Sequence, residues 1–153
     1  MNFNSHMQVA LAEAYAAAKR GEVPVGAVVA NPMGRIVSQN GNRTREYFDP
    51  TAHAEILAIR GACTATGLER LTGYTLTVTL EPCPMCAAAI SHARIARLYF
   101  GACDPKSGGV LHGARVYEHS QCHHVPEIYD GIRAEESESL MRDFFSGMRK
   151  NRL

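Results

Sequence analysis

Four residues in two short segments carry side chains that can bind a metal ion and use it. His53 and Glu55 stand two residues apart in "TAHAEI", and Cys83 and Cys86 are spaced C-x-x-C in "EPCPMC". Residues i and i+2 of an ideal helix point about 200° apart, so His53 and Glu55 cannot share one packed helix face. At the first turn of a helix, both side chains can instead face the same open space. We therefore expect helix starts at both segments.

Each motif alone has an ordinary explanation, but together they predict a metal site. A C-x-x-C in an α/β protein can be a redox pair or two core cysteines, and most isolated His-x-Glu pairs lie on surfaces. One imidazole and two thiolates, by contrast, leave one position of tetrahedral zinc open, as in catalytic rather than structural sites. No His-x₃₋₅-His follows at the distance that a classical zinc finger requires. The combination predicts zinc bound by His53, Cys83 and Cys86.

The charges of these ligands indicate why a carboxylate stands beside them. Two thiolates and a neutral imidazole cancel the formal charge of zinc, which therefore acidifies water less than zinc held by three histidines. A base next to that water then aids the reaction. We expect Glu55 to face water and substrate without ligating the metal.

The elements that position these motifs follow from the pattern of the remaining sequence. A first helix ends near Gly21, and "VPVGAVVA" and "RIVSQNG" form an antiparallel hairpin around the turn "NPMG". Helices over 52–65 and from Pro84 onward carry the two motifs, and a helical apolar stripe occupies 140–148. Further strands are expected in three segments: 74–80, 96–102 and part of 116–131. This order of helices and strands implies an α/β layered domain with a mixed sheet.

Composition bounds the class of protein. A chain of 153 residues with 46% apolar residues suits one domain, which we expect over residues 1–153. A net charge of +1 with 20% charged residues excludes a histone-like or tail-type nucleic-acid binder. There is no apolar run of transmembrane length and no signal-peptide pattern, so we expect a cytoplasmic protein without a membrane partner. Five cysteines without an export signal also favour a reducing compartment.

The complete pattern resembles a known family. H-x-E … P-C-x-x-C is the established signature of zinc-dependent nucleobase deaminases, and the assignment rests on that signature rather than on spacing alone. Six segments in the family's order resemble the bacterial tRNA-specific adenosine deaminases, the TadA type: "EVPVGAVV", "GNRT", "DPTAHAEI", "LEPCPMCAAAI", "ARI" and "DPKSGG". The H-x-E and C-x-x-C pair indicates the superfamily, and the other segments indicate this branch.

The resemblance implies a fold, a cofactor and a reaction. The fold is the three-layer α/β/α cytidine-deaminase-like fold with a mixed five-stranded sheet, in a homodimer with one zinc ion per subunit. The reaction is hydrolytic deamination of the wobble adenosine in a tRNA anticodon loop, which yields inosine and ammonia. His53, Cys83 and Cys86 match the family's zinc ligands, and Glu55 matches its proton shuttle.

The resemblance also implies which residues contact the substrate. Asn42 matches a residue that hydrogen-bonds the flipped base, and Val25 and Pro82 match the pocket wall. The loop beside the anticodon backbone is matched by three residues: Asp104, Lys106 and Ser107.

The chemistry of the substrate supports RNA rather than duplex DNA as the partner. An adenine must leave its stack to expose C6, so the substrate should be a loop or a single strand. A basic cluster near the end of the chain, Arg149, Lys150 and Arg152, is suited to phosphate contacts, although each cation alone is more often an ordinary solvated charge. No DNA partner is expected.

Three alternatives remain open from the residues alone. A zinc deaminase of a free base or nucleoside, of the guanine or cytosine type, would share the zinc chemistry. A binding protein would use zinc structurally and leave Glu55 without a role. A redox protein would form a reversible Cys83–Cys86 disulfide and bind no stoichiometric metal.

Residues 110–131 carry little that the resemblance explains. Cys122, His123 and His124 resemble a metal cluster, although consecutive residues rarely surround one ion without further ligands. Cys103 lies beside the loop expected to contact substrate, and it has no assigned role.

Overall fold

The computed structural model describes residues 3–151 of the chain. Within this range, helices and strands follow one another in the predicted order: α1 Phe3–Lys19, β1 Gly26–Ala30, β2 Ile36–Gly41, α2 Ala54–Thr66, β3 Thr75–Leu80, α3 Pro84–His92, β4 Arg97–Ala102, a 3₁₀ turn Val116–Glu118, β5 Glu127–Tyr129 and α4 Ala134–Asn151. None of the helices in this part of the chain is both long enough and apolar enough to span a membrane.

The five strands form one mixed sheet in the order β2-β1-β3-β4-β5. Strand β1 is antiparallel to both β2 and β3, whereas β3, β4 and β5 run parallel to one another. The expected mixed five-stranded sheet is therefore confirmed. Because β3 and β4 are parallel and pair Leu80 with Ala102 at their last residues, the segments that follow them leave the same edge of the sheet.

Helices cover both faces of the sheet and give three layers. Alternate residues of β1 point to opposite faces, as the period of a strand requires. Ala27 and Val29 belong to the larger core, which includes residues of α2 and α3, while Val28 packs with residues of α1 and α4. The three-layer α/β/α arrangement expected from the resemblance is thus confirmed.

Helix α1 packs closely on the ends of the hairpin strands. A Cβ atom at Gly26 would collide with the backbone carbonyl of Ala10, and one at Gly41 would lie 2.6 Å from the carbonyl oxygen of Glu13. Glycine at these two positions lets the helix approach the sheet at this edge. The start of β1 and the end of β2 are consequently fixed side by side, and Asn42 N–H donates to the Val25 carbonyl at 3.0 Å.

Candidate active site

The two predicted helix starts meet at one edge of the sheet. His53 is the N-cap residue of α2 and Cys83 is the N-cap residue of α3, both with extended backbone. Neither side chain caps its own helix, so both are free to point elsewhere. Pro84 at the first position of α3 favours helical φ and lacks the N–H that a helix start leaves unpaired. Cys86 follows in the first turn and is buried.

The donor atoms of three residues converge. The Nδ1 atom of His53 lies 3.6 Å from Cys83 Sγ and 3.5 Å from Cys86 Sγ, and the three donor atoms lie within 4.8 Å of one another. Tetrahedral zinc with ordinary Zn–N and Zn–S bonds requires N···S separations of about 3.6 Å. The arrangement of His53, Cys83 and Cys86 therefore fits a zinc ion.

The two cysteines have unequal proton affinities. The hydrogen bond with Cys86 and the contact with His53 together lower the pKa of the Cys83 thiol to about 4. The hydrogen bond with Cys83, together with burial, raises the pKa of Cys86. The positive end of α3 also favours anionic sulfur at this position. Cys83 is thus the thiol that loses its proton more easily, and a bound metal ion would displace the proton of Cys86 as well.

Glu55 lies beside this group in the first turn of α2. Its side chain is buried, with 4% of its surface exposed, and burial raises its pKa to about 7. A carboxyl group with this pKa exchanges protons readily near neutral pH, as a general acid and base must. Geometry and burial therefore suit Glu55 to proton transfer.

A cavity of about 280 Å³ opens onto Glu55, His53 and Cys83. This volume lies near the lower end of small-molecule pockets, so it accommodates one small planar ligand group. The remaining lining residues come from five separate parts of the chain: Val23, Val25, Asn42, Thr44, Leu80, Glu81, Asp104, Ser107 and Met141.

Four of the six predicted substrate contacts line this cavity: Val25, Asn42, Asp104 and Ser107. The side-chain amide of Asn42 forms no hydrogen bond within the described residues, and only 7% of the surface of Asn42 is exposed. Lys106 is exposed, and Pro82 is buried, with its carbonyl accepting the Gly109 N–H at 2.8 Å. Lys106 and Pro82 are not among the described residues that line the cavity, so their contacts with substrate stay predictions.

The predicted RNA contacts of the terminal segment lie outside the described side chains. Arg149 and Lys150 belong to the backbone of α4, but their side chains lie outside the described part of the structure, as does Arg152 entirely.

Five lining residues had no role in the sequence-based interpretation: Val23, Thr44, Leu80, Glu81 and Met141. Glu81 stands inside the motif "LEPCPMC" and is buried, with 2% of its surface exposed. Its position directly after a predicted strand is the signal in the sequence that could have indicated this burial. Although burial alone would raise the pKa of Glu81, hydrogen bonds from Asp104 and His112 hold it below the usual value. Met141 was assigned only to the apolar stripe of α4, because its place at the cavity depends on how that helix packs.

The "CHH" segment has structural contacts rather than a metal-binding arrangement. His124 Nε2 lies 2.6 Å from the Ile95 carbonyl, and Cys122 Sγ lies 3.4 Å from Ser91 Oγ. Within the described residues, the side chains of "CHH" are not among the groups whose donor atoms converge as they would around an ion. The segment therefore ties the end of α3 to the chain before β5.

Comparison with known proteins places this site in a family. The family described as the cytidine and deoxycytidylate deaminase zinc-binding region matches residues 2–102. The tRNA-specific adenosine deaminase of Agrobacterium fabrum is 56% identical over 139 residues, which are 91% of this chain and 91% of that protein. The chain belongs to the tRNA-specific adenosine deaminase family. Membership in this zinc-binding deaminase family agrees with the donor set of His53, Cys83 and Cys86.

One solved structure agrees with membership of the tRNA-specific adenosine deaminase family, and a second shares the fold. One from biochemical and structural studies of A-to-I editing by tRNA:A34 deaminases at the wobble position matches with a TM-score of 0.87 at 55% identity, and the match covers 89% of this chain and 98% of that chain. The guanine deaminase of Nitrosomonas europaea matches with a TM-score of 0.78 at 18% identity, over 94% of this chain and 84% of that chain. At that identity, the second likeness concerns the fold alone.

Proposed function

We propose that this protein is a zinc-dependent hydrolase that converts the wobble adenosine of a tRNA anticodon loop to inosine and releases ammonia. The observation that carries the proposal is the convergence of His53 Nδ1, two cysteine sulfurs and the buried carboxyl of Glu55 at one cavity. The relatives named for this activity, matched over most of the chain, support the choice of substrate.

In this proposal His53, Cys83 and Cys86 hold the zinc ion. When bound, zinc supplies a Lewis acid that makes a water molecule more acidic. Glu55 accepts a proton from water, whose oxygen adds to C6 of the adenine. Glu55 then delivers this proton to the ring nitrogen next to C6 and assists proton transfer to the amino group, which leaves as ammonia. A carboxyl with a pKa of about 7 suits both directions of transfer.

The walls of the cavity would bind the flipped base and exclude water. The side-chain amide of Asn42 offers a donor and an acceptor to a purine edge, and Val25 supplies apolar contact. Asp104 and Ser107 stand at the rim, and the exposed Lys106 is next to them in the same loop. A cavity of this size takes a single base only after it has left its stack, which favours an anticodon loop.

The wider assembly is part of the same proposal. The resemblance to the family supports a homodimer, a cytoplasmic location and a single domain over residues 1–153. It also supports phosphate contacts from Arg149, Lys150 and Arg152. Removing residues 149–153 should then weaken turnover of tRNA while barely affecting a free-base reaction, and unchanged turnover of tRNA would exclude these contacts.

The function can be tested with purified protein whose zinc content has been quantified. The protein is incubated with an anticodon stem-loop carrying a wobble adenosine, and separately with adenine, adenosine, guanine and cytosine, while ammonia and inosine are measured. We expect inosine in the stem-loop alone, with about one zinc ion per chain. Deamination of a free base instead would keep the zinc chemistry but replace the substrate. No product from any substrate, with zinc present, would contradict the proposal.

A further inference from the structure

We propose that Glu81 is a positioning residue, whose carboxylate holds the loop Asp104–His112 in place over the cavity. We call this segment the rim loop. Its role in RNA binding rests on the proposed function, because Asp104, Lys106 and Ser107 belong to it. The anchoring itself follows from contacts within the chain.

The carboxylate of Glu81 joins the two ends of the rim loop. Its Oε1 atom accepts the backbone N–H of Asp104 at 3.0 Å and lies 2.8 Å from Nδ1 of His112. Its Oε2 atom accepts three consecutive backbone N–H groups, from Val110 at 3.1 Å, Leu111 at 2.9 Å and His112 at 3.0 Å. Four backbone N–H groups and one ring nitrogen therefore converge on a single buried side chain.

The sheet brings Glu81 to this place. Parallel strands β3 and β4 end side by side, and the N–H of Glu81 donates to the Ala102 carbonyl at 2.8 Å. The chain that follows β4 therefore starts its loop next to Glu81, while Cys83 follows Glu81 by two residues. One segment thus carries both the loop anchor and a residue of the predicted metal site.

The middle of the rim loop lies directly on this segment. A Cβ atom at Gly108 would lie 2.7 Å from the Glu81 carboxyl, and one at Gly109 would lie 2.8 Å from the backbone of Cys83. These approaches leave no room for a side chain at either position. The middle of the loop therefore lies in close contact with the segment that carries Glu81 and Cys83.

The end of the loop that begins at Asp104 lines the cavity. Asp104 accepts the Gly108 N–H at its backbone oxygen, at 2.8 Å, and the Ser107 N–H at its carboxylate, at 3.0 Å. Asp104 and Ser107 line the cavity together with Cys83. Releasing the Asp104 N–H from Glu81 would therefore free the rim of the cavity while leaving the loop's other attachment intact.

A metal site at this position is a competing interpretation. Donor atoms of Glu81, Cys103 and His112 lie within 4.8 Å of one another. A carboxylate offers about four lone-pair directions, however, and five donors already occupy the two oxygens of Glu81. Its hydrogen bonds therefore favour an anchor rather than a metal ligand.

The substitution Glu81→Gln tests the anchor with little change in size. The amide oxygen of glutamine can replace only one of the two carboxylate oxygens. We expect it to take the position of Oε2, which accepts three backbone N–H groups. The amide NH₂ then faces the N–H of Asp104, donor against donor, whereas His112 can accept from it by changing tautomer. We expect KM for the anticodon stem-loop to rise about 10-fold, because binding must then order the freed loop at a cost similar to that of one unsatisfied N–H. We expect kcat to change less than about 3-fold and zinc content to stay the same.

Hydrogen exchange gives a second readout that does not require turnover. Amide exchange in the rim loop should be faster in Glu81→Gln than in the unsubstituted protein. The matched control is Ser91→Ala, which removes a buried hydroxyl bonded to the His124 carbonyl at 2.6 Å, at the other end of α3. The control should lose stability without a change in rim-loop exchange or in KM.

The outcomes separate this inference from the proposed function. An unchanged exchange rate and KM in Glu81→Gln would overturn the inference, as would loss of zinc or a fall in kcat at constant KM. If the unsubstituted protein makes no inosine, the proposed function fails and exchange still decides whether Glu81 anchors the loop. If Glu81→Gln does not fold, Glu81→Asp withdraws the carboxylate from the loop by one methylene, and an unchanged KM and exchange rate there would contradict the anchor.

Discussion

Replacing Glu55 by glutamine should abolish most turnover while leaving zinc and RNA bound. The substitution keeps the size of the side chain but removes its ability to accept and return a proton. General acid–base catalysis contributes about 10²- to 10⁴-fold to a rate. The structure supports the upper end of that range, because other carboxylates are poorly placed to replace Glu55.

Two other carboxylates line the described part of the cavity. Both oxygens of Glu81 are occupied by hydrogen bonds, and Asp104 accepts the Ser107 N–H at its own rim position. Neither stands in the first turn of α2 beside His53, as Glu55 does. We therefore expect a decrease of about 10⁴-fold in the rate of inosine formation.

The assay is single-turnover inosine formation with the anticodon stem-loop at saturating protein. Zinc content and affinity for the stem-loop are measured on the same preparation, and both should match the unsubstituted protein. Glu118→Gln is the control, because this carboxylate is exposed on the surface, with 70% of its side chain accessible. A Glu55→Gln rate within tenfold of the control would refute the role of Glu55 in proton transfer. A lower rate accompanied by loss of zinc would refute its separation from the ligand set.

Three further predictions concern stability and metal binding. In metal-free protein, Glu55→Gln should raise the free energy of unfolding by about 3 kcal/mol above pH 7. Burial raises the pKa of Glu55 in the folded protein to about 7, so its ionisation destabilises the native state progressively as the pH rises above the unfolded pKa of 4.5. Chemical denaturation at pH 4 and pH 8 should therefore show a gain in stability only at pH 8. Cys86→Ser should lower the zinc content well below one ion per chain and should lower the melting temperature of the protein. Metal analysis and calorimetry measure these two quantities, and zinc retained at one ion per chain would exclude Cys86 as a ligand. Gly109→Ala should destabilise the fold by about 2–3 kcal/mol, because its Cβ atom would lie 2.6 Å from the Pro84 nitrogen. The control Gly147→Ala, which places its Cβ atom in open space on α4, should stabilise the fold slightly. Equal denaturation midpoints for the two variants would contradict the close approach at Gly109.

The sequence by itself determined the elements and the metal-binding set. Short-range patterns specify these features: apolar periodicity places the helices and strands, and Pro84 marks the start of α3. Two motifs at helix starts were enough to predict that His53, Cys83 and Cys86 would meet, and their donor atoms do converge. The elements and each motif depend on residues within a few positions of one another. The meeting of His53 with Cys83, 30 positions away, was predicted from the complementary chemistry of the two motifs and from the resemblance.

Only the tertiary structure decided which distant residues complete the cavity. Met141 reaches it from α4 because of the packing of that helix, and Glu81 acquires its partners because β3 and β4 end at the same edge. The "CHH" segment looks like a metal cluster in sequence, yet His124 is directed to the Ile95 carbonyl by the fold. Hydrogen-bond partners separated by about 30 positions depend on strand order and register, which local periodicity does not specify.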